Sequence, residues 1–436
     1  MERRGVTGLL STLLVVLLTF PAPARGADGA DAGLVIAALH ILEQHYFKPV
    51  QPVLLLDAAI DSLRNAAHKD PRALPGVSGG AAESQAVRIF RQDFDKVAET
   101  GIINRQDLAY QTVRDMLASL HDTHVFFLDP VQLREEQAQR ASTLSYAGIG
   151  VLIRGLKVAG GMVFFAAAVF PGSPAAAAGL QPFDEFTHID GIPVPSTATL
   201  PDITRKIRGL VGSTVALTVR RKAQTLTFTV TRQAIQFPTV AAQMIRPGIA
   251  YVRLFQFSKG AADQFKTALK SLQAQGPLRG LILDLRDNGG GSLAELENIA
   301  GTLLPAQTLL AHLADREGPG QLVARGEPLV EHVPLVVITN SATASSAEAL
   351  SLALHDAHLA TLLGEKTSGA LGDTIIFPLP VGGMGVTVAA ITGPQFEQVE
   401  GVGIVPDKEV SLTLRDVSEG KDAQLDAALT AVGAGD

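Results

Sequence analysis

Hydroxyl side chains crowd residues 339–350, TNSATASSAEAL, where an apolar run (PLVVI) gives way to a helix-patterned one (ALSLAL). Ser345 stands three residues before Glu348. That spacing fits a capping box, in which the serine and the acid satisfy free amides at a helix start. The same strand–turn–helix placement would also present a serine at the positive end of a helix, where backbone amides can hold a developing oxyanion. Ser341 and Thr343 read as turn formers. Local sequence does not choose between cap and nucleophile. No histidine or lysine adjoins the stretch, so a nucleophilic serine would need its base from elsewhere in the chain.

A second stretch, LILDLRDNGGGSLAEL (281–296), ends a strand in Asn288 and three glycines before another helix, with Ser292 and Glu295 at capping-box spacing. Glycines allow backbone amides to approach a ligand closely. A phosphate loop is a poor alternative, because no Lys-Ser/Thr follows and the G-x-G-x-x-G spacing is absent. Asp284 and Arg286 on the preceding strand read as supports for the loop, and Asp287 has no assigned role. His355 and His358, like His121 and His124, are three apart. No carboxylate–histidine set completes a metal site around either pair, so no metal or organic cofactor is expected.

The elements that must hold these stretches change along the chain. The first 26 residues carry a basic start, an apolar run (8–20) and small residues at cleavage spacing, which reads as a secretory signal peptide. Residues 27–140 are helix-patterned and end in HDTHVFFLDP. Residues 141–238 carry short β-like runs around PGSPAAAAGL. Residues 239–412 alternate apolar strands and helices, the pattern of an α/β core, and 413–436 form a charged tail read as an ordinary helix.

Composition removes several classes. The 436-residue chain is too long for one core. Its formal charge of −7, with basic residues scattered, leaves no footprint for nucleic acid. Without cysteine it has neither disulfides nor thiol chemistry. No segment after the signal peptide is long and apolar enough to span a bilayer. The expected compartment is outside the cytoplasm, the periplasm first.

The ordered set GLILDLRDNGGG, PLVVITNSATASSAEAL, ATLLGEKTSG and EGVGIVPDKEV resembles the core of the C-terminal processing peptidase and tricorn-core superfamily of serine peptidases. Upstream, YAGIGVLI with VFPGSPAAAAGLQPFDEFTHIDG resembles the inserted PDZ domain of that superfamily, and MLASLHDTHVFFLDP the end of its N-terminal helical region. The resemblance covers nearly all of the mature chain. It implies a ClpP/crotonase-like α/β peptidase core, a β-rich PDZ domain and a helical N-terminal region. It puts the nucleophile on Ser345 and an oxyanion amide on Ser346, with the partner amide on Gly290 or Gly291. Gly148, Ile149 and Gly150 resemble the PDZ loop that captures a peptide's C-terminal carboxylate. The later PDZ motif departs from the family's Gly-Asp, having Phe183-Asp184. The implied partner is a polypeptide substrate, with an adaptor or a second copy also open.

One departure touches the chemistry. Processing peptidases place a lysine base in a motif like GEKTFGKG followed by V-Q. Here GEKTSGALGDT puts Ala370 at the lysine position and Thr374 at the supporting glutamine. Tricorn-like relatives instead use a histidine after a small hydroxyl residue and a glutamate before the glycine of a G-I-x-P-D motif. Those positions fall on Thr123, His124 and Glu400. On that pattern His124 is the general base, with Nε2 within reach or a small rotation of Ser345 Oγ, and Thr123 relays a hydrogen bond to Glu400. Two other readings stay open: an inactive relative that binds chains without cutting them, and a peptidase using another base such as Lys366.

Overall fold

The computed structural model describes residues 31–67, 74, 76–77, 82–140 and 145–433. The signal-peptide reading of residues 1–26 lies outside them. Among the described residues no helix is long and apolar enough to cross a membrane.

Four helices, Ala32–His45, Pro52–Ala67, Glu83–Ala98 and Arg105–Ala118, open the chain. Asp31 and Asn104 cap two of them, each side chain accepting a backbone N–H of the first turn. Their apolar stripes meet in a core built around Leu39, Ile60, Phe90, Phe94 and Met116. That core is not theirs alone. It also takes Val125 and Phe127 from the HDTHVFFL stretch and Met384 and Val386 from the strand Gly383–Thr392. The short strand Phe126–Leu128 pairs antiparallel with the same strand, Phe126 opposite Gly385. The helical region is therefore joined to the rest by a shared core and a strand ladder.

The PDZ segment is a six-stranded sheet, with Val151–Val158, Gly161–Val169, Glu185–Ile189, Thr214–Arg221 and Gln224–Thr231 along its path. The helix Leu200–Ile207 packs Ile203 and Ile207 against Phe164, Phe186 and Leu217. Strands Ser145–Gly148 and Gln233–Gln236 pair with each other and form the stem that leads in and out of the domain. Phe183, at the position where the family has glycine, adopts a left-handed backbone (φ 70°). A side chain there is strained, yet its ring stacks on Phe165 with centroids 5.9 Å apart. Both rings join Leu412 and Val417 of the C-terminal segment in one apolar cluster. The residue that breaks the family motif thus docks the domain onto the chain's end.

The α/β core is a six-stranded sheet in the order Val240–Arg246, Ile249–Leu254, Gly280–Asp284, Leu335–Thr339, Ala360–Gly364, Lys408–Glu409. Only the first pair is antiparallel. Every residue of Gly280–Asp284 and Leu335–Thr339 is buried, as parallel strands covered on both faces must be. Alternate residues divide between two cores. Leu281, Leu283 and Val337 face the helices Ala261–Gln273, Leu293–Ala300 and Ser346–Asp356, while Ile282, Val336 and Ile338 face Ala428, Leu429 and Val432. The last three belong to the helix Ala423–Gly433, so what reads in sequence as a charged tail supplies one cover of the central sheet. A second sheet of five strands contains Phe126–Leu128, Leu309–Ala314, Pro319–Val323, Gly372–Pro378 and Gly383–Thr392.

Candidate active site

Ser345 follows the carboxyl end of the central strand Leu335–Thr339, the end at which open α/β sheets form their crevices. Thr343 shapes the intervening turn. Its hydroxyl donates to the Leu285 carbonyl (2.8 Å) and accepts from the Asn340 amide (2.9 Å). Ser341 is exposed. At Ser345 the backbone sits at φ 56°, ψ −124°, and the helix begins with the next residue. A non-glycine residue in that region is a strained strand-to-helix elbow of the kind that lifts a nucleophile clear of its surroundings. The Ser345 amide donates to the Ala370 carbonyl (2.9 Å) and to Glu348 Oε2 (3.0 Å).

The glycine loop lies directly against this elbow. A Cβ on Gly290 would come within 2.5 Å of Ser345 Cβ and 2.9 Å of the Ser346 nitrogen, so only glycine fits. The buried Asn288 fastens the loop by donating to the Leu254 carbonyl and accepting the Ala344 amide on its own carbonyl. Ser346 Oγ donates to the Gly291 carbonyl (2.9 Å). The expected oxyanion amides now separate. Gly290 N–H is spent on Asn288 Oδ1 (2.8 Å), which corrects the expectation that it is available. Neither Gly291 N–H nor Ser346 N–H has an acceptor among the described residues. Ser346 is the first residue of its helix, where an amide has no intrahelical partner.

One support was not legible as such. Glu348, fully buried, does more than cap. Its Oε2 accepts Ser345 N–H and Ala370 N–H (3.0 Å each), and its Oε1 accepts Gly369 N–H (2.7 Å) and the Thr367 hydroxyl (2.5 Å). One carboxylate therefore ties the elbow to the 367–370 segment. Below the glycine loop, Asp284 is also fully buried. Burial alone would raise its pKa, but Arg286 and then Arg253 outweigh it and hold the carboxyl well below the usual range. Arg286 also reaches Asp422 and Gln424 at the start of the last helix. Asp287 pairs with Arg253 (3.1 Å) and exchanges hydrogen bonds with the Asn340 side chain, locking the loop entry to the turn before Ser345.

The segment that replaces the lysine motif runs past three groups in succession. Ala370 O accepts from Ser345 N–H, and Leu371 N–H donates to Glu400 Oε2 (2.6 Å). A Cβ on Gly372 would stand 3.2 Å from His124 Cδ2. His124 Nε2 lies 3.1 Å from the same Glu400 Oε2, with the two side chains 17% and 35% exposed. Nε2 thus faces Glu400 and not Ser345. No hydrogen bond joins the imidazole to Ser345 Oγ among the described residues. The expected Thr123 relay is corrected as well: the histidine–glutamate contact is direct, and Thr123 is exposed. Lys366 is exposed, flanking the buried Thr367. His355 sits between Asp356 and Asp407, while His121 and His358 are exposed.

At the PDZ loop, Gly150 has φ 78°, and a Cβ there would strike Ser173 Cβ at 2.3 Å. The Ile149 side chain is buried in the domain core, and its carbonyl accepts from Ala175 N–H. From the strand that follows, Arg154 reaches Glu365 in the replaced-lysine segment at 2.6 Å.

Residues 248–410 match the model of peptidase family S41, and residues 165–221 match that of a PDZ domain. Over 346 residues the chain is 36% identical to a carboxyl-terminal-processing protease of Synechocystis sp., covering 77% of this chain and 79% of that protein. The chain belongs to peptidase family S41. A second S41 relative, a carboxyl-terminal-processing protease of Picosynechococcus sp., is 38% identical over 315 residues, 71% of this chain and 74% of that one. The solved photosystem II D1 C-terminal processing protease shares the fold, with a TM-score of 0.54 over 94% of this chain and 98% of that chain at 24% identity. This S41 member is a serine-type peptidase.

Proposed function

We propose that the protein is an exported serine endopeptidase in which Ser345 is the nucleophile, His124 the general base and Glu400 the group that orients and charges the histidine. The observation that carries this reading is the run Ala370–Leu371–Gly372: Ala370 bonds Ser345, Leu371 bonds Glu400, and a Cβ on Gly372 would meet the His124 ring. Glu400 holds Nε2–H, so the tautomer leaves the Nδ1 lone pair as the proton acceptor. Hydrogen bonds between catalytic groups are often long in a free enzyme and tighten with substrate.

Ser345 Oγ then attacks the scissile carbonyl as its proton passes to Nδ1. The carbonyl oxygen becomes an oxyanion received by Ser346 N–H and Gly291 N–H, while Glu400 stabilises the imidazolium. His124 returns the proton to the leaving amine, and the C–N bond breaks to give an acyl-enzyme. Water, deprotonated by the same histidine, releases the product and restores Ser345. The substrate is an extended or partly unfolded polypeptide whose C-terminal carboxylate engages the Gly148–Gly150 loop of the PDZ domain. The apolar run at 8–20 supports export, with the periplasm as the compartment.

A serine-directed phosphonate tests the assignment. Wild type is labelled and Ser345→Ala is not. His124→Ala should be labelled at least about 100-fold more slowly, the range of a lost general base. Glu400→Gln should fall less, because the base remains. Labelling of His124→Ala at the wild-type rate refutes the assigned base.

A further inference from the structure

We infer that Asp122 is a positioning residue for His124, fixing the turn from which the imidazole is presented. The inference rests on His124 being the base and adds a residue to that reading. Asp122 Oδ1 accepts the backbone N–H of His124 (2.9 Å), closing a local Asx-type turn. Its Oδ2 accepts two hydroxyls from distant parts of the chain, Tyr46 Oη at 3.0 Å and Thr387 Oγ1 at 2.8 Å. Both hydroxyl-bearing residues are buried, Tyr46 at 8% exposure and Thr387 at 4%. Burial and then the Asp122 charge raise the Tyr46 pKa, so the phenol stays a donor.

The two anchors are themselves fixed. Tyr46 ends the helix Ala32–His45, and its carbonyl accepts from Arg316 Nε at 2.6 Å. Phe47 N–H donates to the Thr387 carbonyl at 2.9 Å. Thr387 lies on the strand that pairs with both Phe126–Leu128 and Gly372–Pro378. The carboxylate therefore sits where the first helix, the histidine turn and the strand beside Gly372 meet. The turn itself is poorly held otherwise. His121 has a left-handed backbone (φ 53°) with its N–H on the Ala118 carbonyl (3.0 Å), Thr123 is exposed, and Val125 N–H donates to Asp122 O at 3.2 Å. The Asp122 carboxylate holds the His124 backbone through Oδ1 and both anchors through Oδ2.

Removing the carboxylate lets the imidazole drift with the turn, and a misplacement of about 1 Å costs on the order of 100-fold in rate. An asparagine keeps Oδ1 for His124, and its NH2 can donate to either hydroxyl oxygen, both of which can accept. The effect should fall on the chemical step and leave substrate binding at the PDZ loop alone.

The test uses the full chain, with phosphonate labelling of Ser345, kcat and KM on β-casein, and urea midpoints for each variant. Asp122→Ala should lose about 30- to 100-fold in labelling and kcat with KM within about twofold. Asp122→Asn should stay within about threefold of wild type. Adding Asp122→Ala to His124→Ala should slow labelling no further, because residues acting as a unit are non-additive. Wild-type labelling in Asp122→Ala beside slow labelling in His124→Ala overturns the inference and leaves the base standing. Fast labelling in His124→Ala overturns both. An additional loss in the double variant, or an Asp122→Asn enzyme as slow as Asp122→Ala, also overturns it. If Asp122→Ala does not fold, Tyr46→Phe with Thr387→Val strips Oδ2 of its partners and should slow labelling about tenfold. Wild-type labelling there is the refuting result.

Discussion

Replacing Glu348 by glutamine exchanges one oxygen for an NH2 at constant shape, inside a pocket that offers four donors, one of them the Thr367 hydroxyl. The amide nitrogen has two placements. On the Oε2 side it would face the N–H groups of Ser345 and Ala370, donor against donor twice. On the Oε1 side it would face Gly369 N–H and the Thr367 hydroxyl, whose oxygen already accepts from Ile404 N–H and has a second lone pair. The second placement wins and leaves one buried amide without an acceptor, a cost of about 1–3 kcal/mol. The bonds from Ser345 and Ala370 survive but lose the strengthening of a charged acceptor, about 1 kcal/mol each. Relief from burying a carboxylate returns part of this, so the net loss is about 2–4 kcal/mol. Urea denaturation should show a midpoint lowered by roughly 1 M. Because Ser345 N–H keeps its acceptor, phosphonate labelling in the native range should fall less than about tenfold. A midpoint and labelling rate equal to wild type would show that the carboxylate does not hold the elbow.

Ala370 occupies the position of the processing-peptidase lysine, so Ala370→Lys in the His124→Ala background should recover labelling by at least about tenfold, rising with pH as the amine deprotonates. No recovery would mean that a side chain at 370 does not reach the serine. Phe183→Gly relieves a strained φ worth about 1 kcal/mol but loses a ring packed on Phe165, Leu412 and Val417, worth about 2–4 kcal/mol with its stacking. The variant should be less stable to urea, and equal or greater stability refutes the docking role. Burial opposes charge on His355, yet the Asp356 hydrogen bond and the Asp407 charge outweigh it and raise its pKa. A raised folded-state pKa stabilises fully below the unfolded value near 6.5, and that contribution is lost as pH rises through the folded value. The thermal-midpoint gap between wild type and His355→Gln should therefore be wider at pH 6 than at pH 9, and an equal gap at both refutes the ion pair.

Elements with strong apolar patterning read correctly from sequence. Gly280–Asp284 and Leu335–Thr339 are uniformly apolar up to their carboxyl ends because both faces are covered, and the turn residues after them mark the site. What sequence could not carry was the direction of single backbone groups. Nothing in N-G-G-G says that Asn288 Oδ1 takes the Gly290 amide and leaves the Gly291 amide free. Glu348 read as a cap because its i to i−3 spacing is local, whereas its bonds to Thr367, Gly369 and Ala370 are tertiary. The Thr123 relay failed for a similar reason. The tricorn-like resemblance put a relay on Thr123, but that residue is exposed and Glu400 meets the ring directly. The last helix read as an ordinary tail although Ala428, Leu429 and Val432 form the apolar face that covers Ile282 and Ile338.

The proposed change of base would also change which part of the chain the chemistry depends on. A lysine at 370 would sit on the segment whose backbone already bonds Ser345, inside the peptidase core. Here that segment contributes only backbone: a carbonyl to Ser345, an amide to Glu400, and at Gly372 the absence of a Cβ that would otherwise meet the imidazole. In the proposed assignment the base, His124, comes instead from the end of the helical region. It is placed by a turn pinned to Tyr46 and Thr387 and by a strand pair at Phe126–Leu128. Phe90, Phe94 and Met116 share their core with Val125, Phe127 and Met384. Under the proposed assignment, packing far from Ser345 would bear on the distance between nucleophile and base, and the N-terminal helices would belong to the catalytic apparatus.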